Sequence, residues 1–157
     1  MSFLRMAALL LATAFAAPGF AQSQSTDNMQ ILLDKIKADK KLLVANNMNL
    51  TDAEAKGFWP IYDQYQQQLG AINKRLGDLI LQYADAYKNN SLTDDTAKAL
   101  VDKLIAIQGD EVQIKKSFVP KLANVLPMKK VARYLQIENK IRAAVNYELA
   151  AQVPLVE

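Results

Sequence analysis

Residues 58–86 read FWPIYDQYQQQLGAINKRLGDLILQYADA, and they carry the strongest structural signal in the chain. Apolar or aromatic residues recur in this stretch at spacings that alternate between four and three. These residues are Phe58, Tyr62, Tyr65, Leu69, Ile72, Leu76, Leu79, Tyr83 and Ala86. The alternation is typical of the a and d positions of a coiled coil, and it continues here for about four heptads. The stretch therefore predicts one long helix with an apolar seam along one face.

Capping residues mark where this helix and the next one begin. Thr51 is followed three residues later by Glu54, which is the pattern of a capping box. Thr93 is a second cap, and the two aspartates after it favour the positive end of a helix. Pro60 lies inside the first of these helices and predicts a kink near residues 56–60, because proline removes a backbone donor.

The rest of the chain predicts further helices and no strands. No period-two apolar alternation is present, and residues 88–91 predict a turn between the second and third helices. The first helix is expected from residue 26 or 27 to residue 46, and the fourth from a first turn at Pro127 to about residue 151. The second helix would be about 57 Å long. We therefore predict an all-α fold, an elongated antiparallel hairpin of about four helices with a coiled-coil-like seam.

Small residues form a line beside the seam of the second helix. Gly70 and Gly77 are seven residues apart, and Ala84 continues the line. Because glycine costs about 1 kcal/mol relative to alanine inside a helix, we expect the line to admit a closely packed neighbour, such as the third helix. The seam predicted for that third helix comprises Ala97, Leu100, Leu104, Ile107, Glu111, Ile114, Phe118 and Val125.

The first 21 residues have the three-part pattern of a secretory signal peptide. Arg5 is followed by an apolar run over residues 6–17, and small residues precede a cleavage point after Ala21. This run of 12 residues is shorter than the span of about 20 that a transmembrane helix needs. We expect cleavage after Ala21 and export to the periplasm, a compartment in which a free thiol would be a liability. The alternative is an uncleaved interfacial anchor.

These signals divide the chain into four parts. They are a signal peptide at 1–21, a flexible N-terminal segment with the first helix at 22–49, a helical hairpin domain at 50–152 and an apolar C-terminal tail at 153–157. The mature chain would carry 18 basic and 16 acidic side chains, a net charge of +2.

The composition argues against most catalytic and metal-binding sites. The 157 residues include no histidine and no cysteine, so the commonest general base, metal ligands and thiol nucleophile are missing. No Walker, GxSxG or glycine-rich phosphate motif is present, and Ser117 has no histidine partner. We therefore predict no enzymatic activity, no cofactor and no metal site. Export and the small net charge also disfavour nucleic acid as a partner.

The two helix starts repeat one another. Residues 50–56 and 92–98 match at five of seven positions, with Leu50 and Leu92 each preceding a threonine cap. One explanation is that efficient caps look alike.

A second explanation is that these starts belong to a known family. Two Leu-Thr-x-x helix starts in an exported, all-helical chain resemble the LTXXQ-motif (Spy/CpxP-like) family of bacterial periplasmic proteins. The stretch FWPIY at 58–62, Leu126-Pro127 and QIENK at 136–140 add to the resemblance, which covers most of the mature chain. Glu54 and Thr96 stand where the family has glutamine. The resemblance implies a helical hairpin, often paired into a dimer, that binds non-native proteins without ATP or controls an envelope sensor.

Basic residues concentrate in one segment. Residues 115–142 hold eight basic side chains and one acid, whereas residues 50–113 hold ten acids and six bases. Such a segment can bind acidic, partly apolar partners. The predicted partner-binding residues are Lys115, Lys116, Phe118, Lys121, Lys129, Lys130, Arg133 and Tyr134, together with Trp59. The alternative is that Asp102, Asp110 or Glu111 on a neighbouring helix neutralises the segment internally.

Three functional hypotheses remain open. The first is a periplasmic, ATP-independent chaperone-like or envelope-stress protein that binds unfolded clients. The second is a non-enzymatic interaction module for one envelope sensor or other partner protein. The third is a membrane-surface binder that uses residues 115–142. A homodimer is compatible with each of them.

Overall fold

The computed structural model describes residues 38–156, and the predictions for residues 1–21 and for most of the first helix lie outside them. Within this range the chain forms four helical segments and no strand. We number them α1 at residues 38–48, α2 at Asp52–Lys88, α3 at Asp94–Ala123 and α4 at Met128–Gln152. The all-α prediction is confirmed.

The chain divides into two compact units, which we describe separately. The hairpin unit comprises Thr51–Val131 and the segment 153–156, and therefore contains α2, α3 and the start of α4. The second unit comprises residues 38–50 and Ala132–Gln152, and therefore contains α1 and most of α4.

Both predicted caps are present at the starts of α2 and α3. The Glu54 backbone N–H donates to the Thr51 hydroxyl at 3.3 Å, and the Thr51 N–H donates to the Glu54 carboxylate at 2.8 Å. This reciprocal pair is a complete capping box. At α3 only half of it exists, because Thr96 has no carboxylate to return a bond and its N–H simply donates to Thr93 at 3.2 Å.

The turn after α2 closes the helix through a left-handed residue. Asn90 has a φ of 49°, a backbone conformation that asparagine and glycine tolerate best. The Ser91 N–H donates to the Ala86 carbonyl at 2.9 Å, and the Asn90 N–H donates to the Tyr87 carbonyl at 3.3 Å. These two bonds form a Schellman motif, which satisfies the last carbonyls of α2 and turns the chain towards α3.

The predicted seam of α2 is its buried face. All seven buried residues of α2 belong to the nine predicted seam positions: Phe58, Tyr62, Tyr65, Leu69, Ile72, Leu79 and Ala86. Ile72 and Leu79 pack with Ile107 of α3 in one apolar cluster, and Tyr65 meets the Phe118 ring edge-on at 5.3 Å. The helix is continuous through Pro60.

The end of α3 differs from its predicted seam. α3 ends at Ala123, so Val125 lies outside the helix, and Leu122 takes the last buried position instead. The next helix starts one residue later than expected: the Pro127 carbonyl accepts from the Val131 N–H at 3.1 Å, which places Pro127 before α4 rather than in its first turn.

Among residues 38–156 the glycine line has no close neighbour. A Cβ placed on Gly70 or Gly77 would have no atom of this range within 4 Å beyond its own helix, so the prediction of close packing there is wrong. Close packing occurs at Gly57 instead, where a Cβ would lie 2.9 Å from Val125 Cγ1 and 3.0 Å from Val125 Cβ. Of the four glycines in the described part of the chain, Gly57 is therefore the one whose small size the packing requires.

In the second unit, α1 and α4 run antiparallel. Lys40 pairs with Glu138 at 2.8 Å, and Arg133 Nε donates to the Asn47 carbonyl near the other end of α1. Val44 and Met48 are buried on α1, one turn apart, while Tyr134 and Glu138 are buried on α4. Glu138 is the only buried charged residue within residues 38–156.

Candidate protein-binding surface

The basic segment 115–142 is shared between the two units, so its residues do not define one described surface. In the hairpin unit Lys116, Lys121 and Lys129 are exposed. In the second unit Arg133 is exposed but donates to the Asn47 carbonyl. The basic side chains are therefore distributed over the surfaces of two units, and those of each unit have their own contacts.

Two aromatic residues of the predicted partner-binding set are core residues. Phe118 and Tyr134 are fully buried, so the expectation that they lie on the basic surface is wrong. Phe118 occupies a seam position of α3, and the Lys121 ammonium covers its ring at 4.4 Å from the centroid. Tyr134 shares the inward face of α4 with Val131 and Glu138, which lie three residues before it and four residues after it. In both cases the position on the buried face of the helix, and not the charged residues nearby in the sequence, determines whether the ring is exposed.

Trp59 is half-buried within an aromatic group on α2. Its ring meets Phe58 edge-on at 5.0 Å and Tyr62 edge-on at 5.3 Å. Such edge-to-face pairs stabilise packing by about 0.5–1.5 kcal/mol beyond the area they bury. Trp59 is therefore a packing residue with one accessible side rather than an isolated surface aromatic.

The internal neutralisation expected for the basic segment occurs only in part. Asp102 pairs with Lys98 and Asp110 pairs with Arg75, each at 2.6 Å, and neither partner belongs to residues 115–142. Glu111 lies 3.9 Å from Lys115, but the pair is within one helix. Two of the three expected acids are thus paired elsewhere.

Glu54, the capping residue of α2, forms a long-range ion pair with the basic segment that the sequence did not predict. Its carboxylate lies 2.5 Å from the Lys130 ammonium while also accepting from the Thr51 N–H. These hydrogen bonds, led by the one from Lys130, hold the pKa of Glu54 below its ordinary value. One carboxylate therefore starts α2 and ties it to the first turn of α4, a role that the capping pattern alone does not reveal.

An apolar groove lies between α2 and α3 in the hairpin unit, which we call the hairpin groove. Its volume is about 310 Å³, and its walls include Leu76, Ile80 and Tyr83 of α2 and Leu100, Val101 and Leu104 of α3. The segment 153–156 forms a further wall, and the Tyr83 hydroxyl donates to the Pro154 carbonyl at 2.8 Å. Sequence reasoning missed this groove because its walls come from segments 71 residues apart.

A second apolar surface runs along the outside of α3. Val101, Ile105 and Val112 are all exposed, and we call them the α3 apolar row. Val101 also lines the hairpin groove, so the two surfaces adjoin. At 3.6 residues per turn the three residues lie within about 40° of one another around the helix. The seam of α3 lies on a different face, so these side chains have no role in the hairpin core.

Two findings on polar groups concern the described part of the chain alone. Residues 38–156 include no group of three or more acidic side chains that could hold a metal ion. Every buried side-chain nitrogen and oxygen in this range has a hydrogen-bond partner.

None of the helices among residues 38–156 is both long enough and apolar enough to span a membrane. Comparison with family models, with curated proteins and with solved structures gives no match to this chain. The resemblance to the LTXXQ-motif family therefore stays a prediction.

Proposed function

We propose that the chain is a periplasmic, ATP-independent chaperone-like protein that binds non-native polypeptides through exposed apolar side chains of its helical hairpin. The observation that carries this proposal is the α3 apolar row. Three branched apolar side chains on one face of a long helix are exposed although the hairpin core is complete without them. Contiguous exposed apolar surface of this kind is typical of protein-binding sites.

Three further observations support the proposal. The N-terminal sequence has the pattern of an export signal, and the Leu-Thr helix starts resemble those of LTXXQ-motif proteins. The absence of histidine and cysteine argues against catalysis. The exposed lysines Lys116, Lys121 and Lys129 would add attraction for acidic clients to the apolar contact.

An aggregation assay tests the proposal. Reduced α-lactalbumin is a suitable client, because dithiothreitol unfolds it while leaving a chain without cysteine unchanged. We expect the mature protein to suppress light scattering at near-stoichiometric amounts without ATP. No suppression at a several-fold excess would refute the proposal.

A charge-matched pair of variants locates the surface. Ile105→Lys with Val112→Lys places two charges in the α3 apolar row, and we expect this double variant to lose suppression. Ala106→Lys with Gln113→Lys adds the same charge at exposed positions outside the row, and it should act like the unaltered protein. Equal losses in the two double variants would show that the row is not the binding surface.

A further inference from the structure

We infer that the hairpin groove binds an extended, uncharged apolar segment of another polypeptide, and that residues 153–156 are an internal occupant which such a segment displaces. The inference rests on the proposed function and adds to the α3 apolar row a second client-binding site, with the chemistry of the segment that it accepts.

The lining of the hairpin groove defines the chemistry it accepts. Among the described residues that line it, every side chain is apolar apart from the hydroxyl of Tyr83, and none is charged. Burial of an unpaired charge in such a site is unfavourable, so acidic or basic side chains are disfavoured there. Its volume of about 310 Å³ lies at the lower end of the range of about 300–1,000 Å³ for ligand pockets. A few apolar side chains fit, whereas a folded domain does not.

The segment 153–156 shows how a polypeptide is held there. Residues 154–156 have no regular secondary structure, and Pro154 cannot continue α4 because it lacks a backbone donor. The Tyr83 hydroxyl contacts the Pro154 carbonyl, a group that every residue has, rather than a particular side chain. This mode of recognition tolerates many sequences provided that the segment is extended and apolar.

The internal occupant is held loosely. Leu155 and Val156 are 87% and 60% exposed, so two of the four apolar side chains of the segment remain mostly in water. The segment lies along the groove without filling it. A competing segment that inserts its side chains would bury apolar area that residues 153–156 leave exposed, which favours its binding.

Peptide binding to a truncated chain tests the inference. The probe is a fluorescein-labelled peptide with the sequence AQVPLV, which is that of residues 151–156, and the readout is fluorescence anisotropy. A chain that ends at Gln152 should bind it about tenfold more tightly than the full chain, because a tethered competitor acts at millimolar effective concentration. An unchanged Kd after truncation would overturn the inference.

Two exposed leucines of the hairpin unit give a matched control, and neither belongs to the α3 apolar row. Leu104 lines the groove and is 36% exposed, whereas Leu81 lies outside it and is 48% exposed. In the truncated chain, Leu104→Lys should abolish peptide binding and Leu81→Lys should leave it unchanged. Tyr83→Phe, which removes only the hydroxyl donor, should weaken binding severalfold. Equal effects of the two lysine variants would overturn the assignment of the groove.

Two further outcomes separate this inference from its alternatives. A full-length dimer that becomes monomeric on truncation would assign the groove to the 153–156 segment of a second copy, and the inference would fail. Retained suppression of aggregation in Leu104→Lys, together with lost peptide binding, would overturn the inference while leaving the proposed function intact. Peptide binding without any suppression of aggregation would instead support the hairpin groove as a peptide-binding site and refute the proposed chaperone-like function.

Discussion

Replacement of Gly57 by alanine gives the sharpest test of the packing in the hairpin unit. The new Cβ would lie 2.9 Å from Val125 Cγ1 and 3.0 Å from Val125 Cβ, both closer than van der Waals contact allows. A side-chain rotation of Val125 can move Cγ1 but not Cβ, which is fixed to the backbone. The connection between α3 and α4 must therefore shift to accommodate the methyl group.

The expected free energies follow from two opposing effects. Alanine is favoured over glycine inside a helix by about 1 kcal/mol, and this gain applies at both Gly57 and Gly70. Overpacking against Val125 costs about 1–3 kcal/mol, and it applies only at Gly57. We expect Gly70→Ala to raise the free energy of unfolding by about 1 kcal/mol and Gly57→Ala to lower it by about 1 kcal/mol.

Urea unfolding followed by circular dichroism at 222 nm measures both changes, with the slope of each transition showing whether two-state behaviour holds. Val125→Ala in the Gly57→Ala background removes Cγ1 and should recover part of the loss, which a double-mutant cycle quantifies. The reasoning is refuted if Gly57→Ala stabilises the chain as much as Gly70→Ala does.

Three other predictions concern the ion pair of Lys40, the carboxylate of Glu54 and the left-handed backbone at Asn90. Lys40→Met removes the ion pair between Lys40 and Glu138, whose side chain is 4% exposed, and should lower the free energy of unfolding by about 3 kcal/mol in urea titrations. Hydrogen bonds from Lys130 and Thr51 lower the pKa of Glu54, so its ionised form should stabilise the fold fully above the ordinary pKa of glutamate and lose its effect as the pH falls through the lowered pKa. Glu54→Gln should reduce that pH dependence of the urea midpoint. Asn90→Ala, at a φ of 49°, should cost about 1 kcal/mol, whereas Asn90→Gly should cost nothing in the same titration.

Local patterns predicted the hairpin well because its determinants are close in sequence. The four-three alternation from Phe58 to Ala86 specifies one helix face whatever that face meets, and the cap at Thr51 depends on a residue three positions away. The line of Gly70 and Gly77 wrongly predicted a closely packed neighbour, because small residues occur on exposed faces as well as at close contacts. A sequence pattern gives the side of a helix on which a residue lies, but not what lies opposite.

The candidate surfaces were harder to predict because they depend on pairings between distant segments. The charge-rich neighbourhood of Phe118 and Tyr134 favoured an exposed site, whereas the helical register places both rings in the core. The pair of Glu54 and Lys130 joins positions 76 residues apart, and no local spacing encodes it. The hairpin groove requires Tyr83 and Pro154 to meet, which only the folded chain makes visible.

The pairing of α1 with α4 implies an order in which the molecule assembles. Lys40 and Glu138 are 98 positions apart, whereas Arg75 and Asp110 in the hairpin are 35 apart. Each doubling of a closed loop adds about 0.6 kcal/mol of entropic cost, and distant contacts form slowly. Of the helices among residues 38–156, α1 is synthesised first, and the contacts described for it are with α4, which follows about eighty residues later. We therefore expect the first of these four helices to be made to be the last to pack.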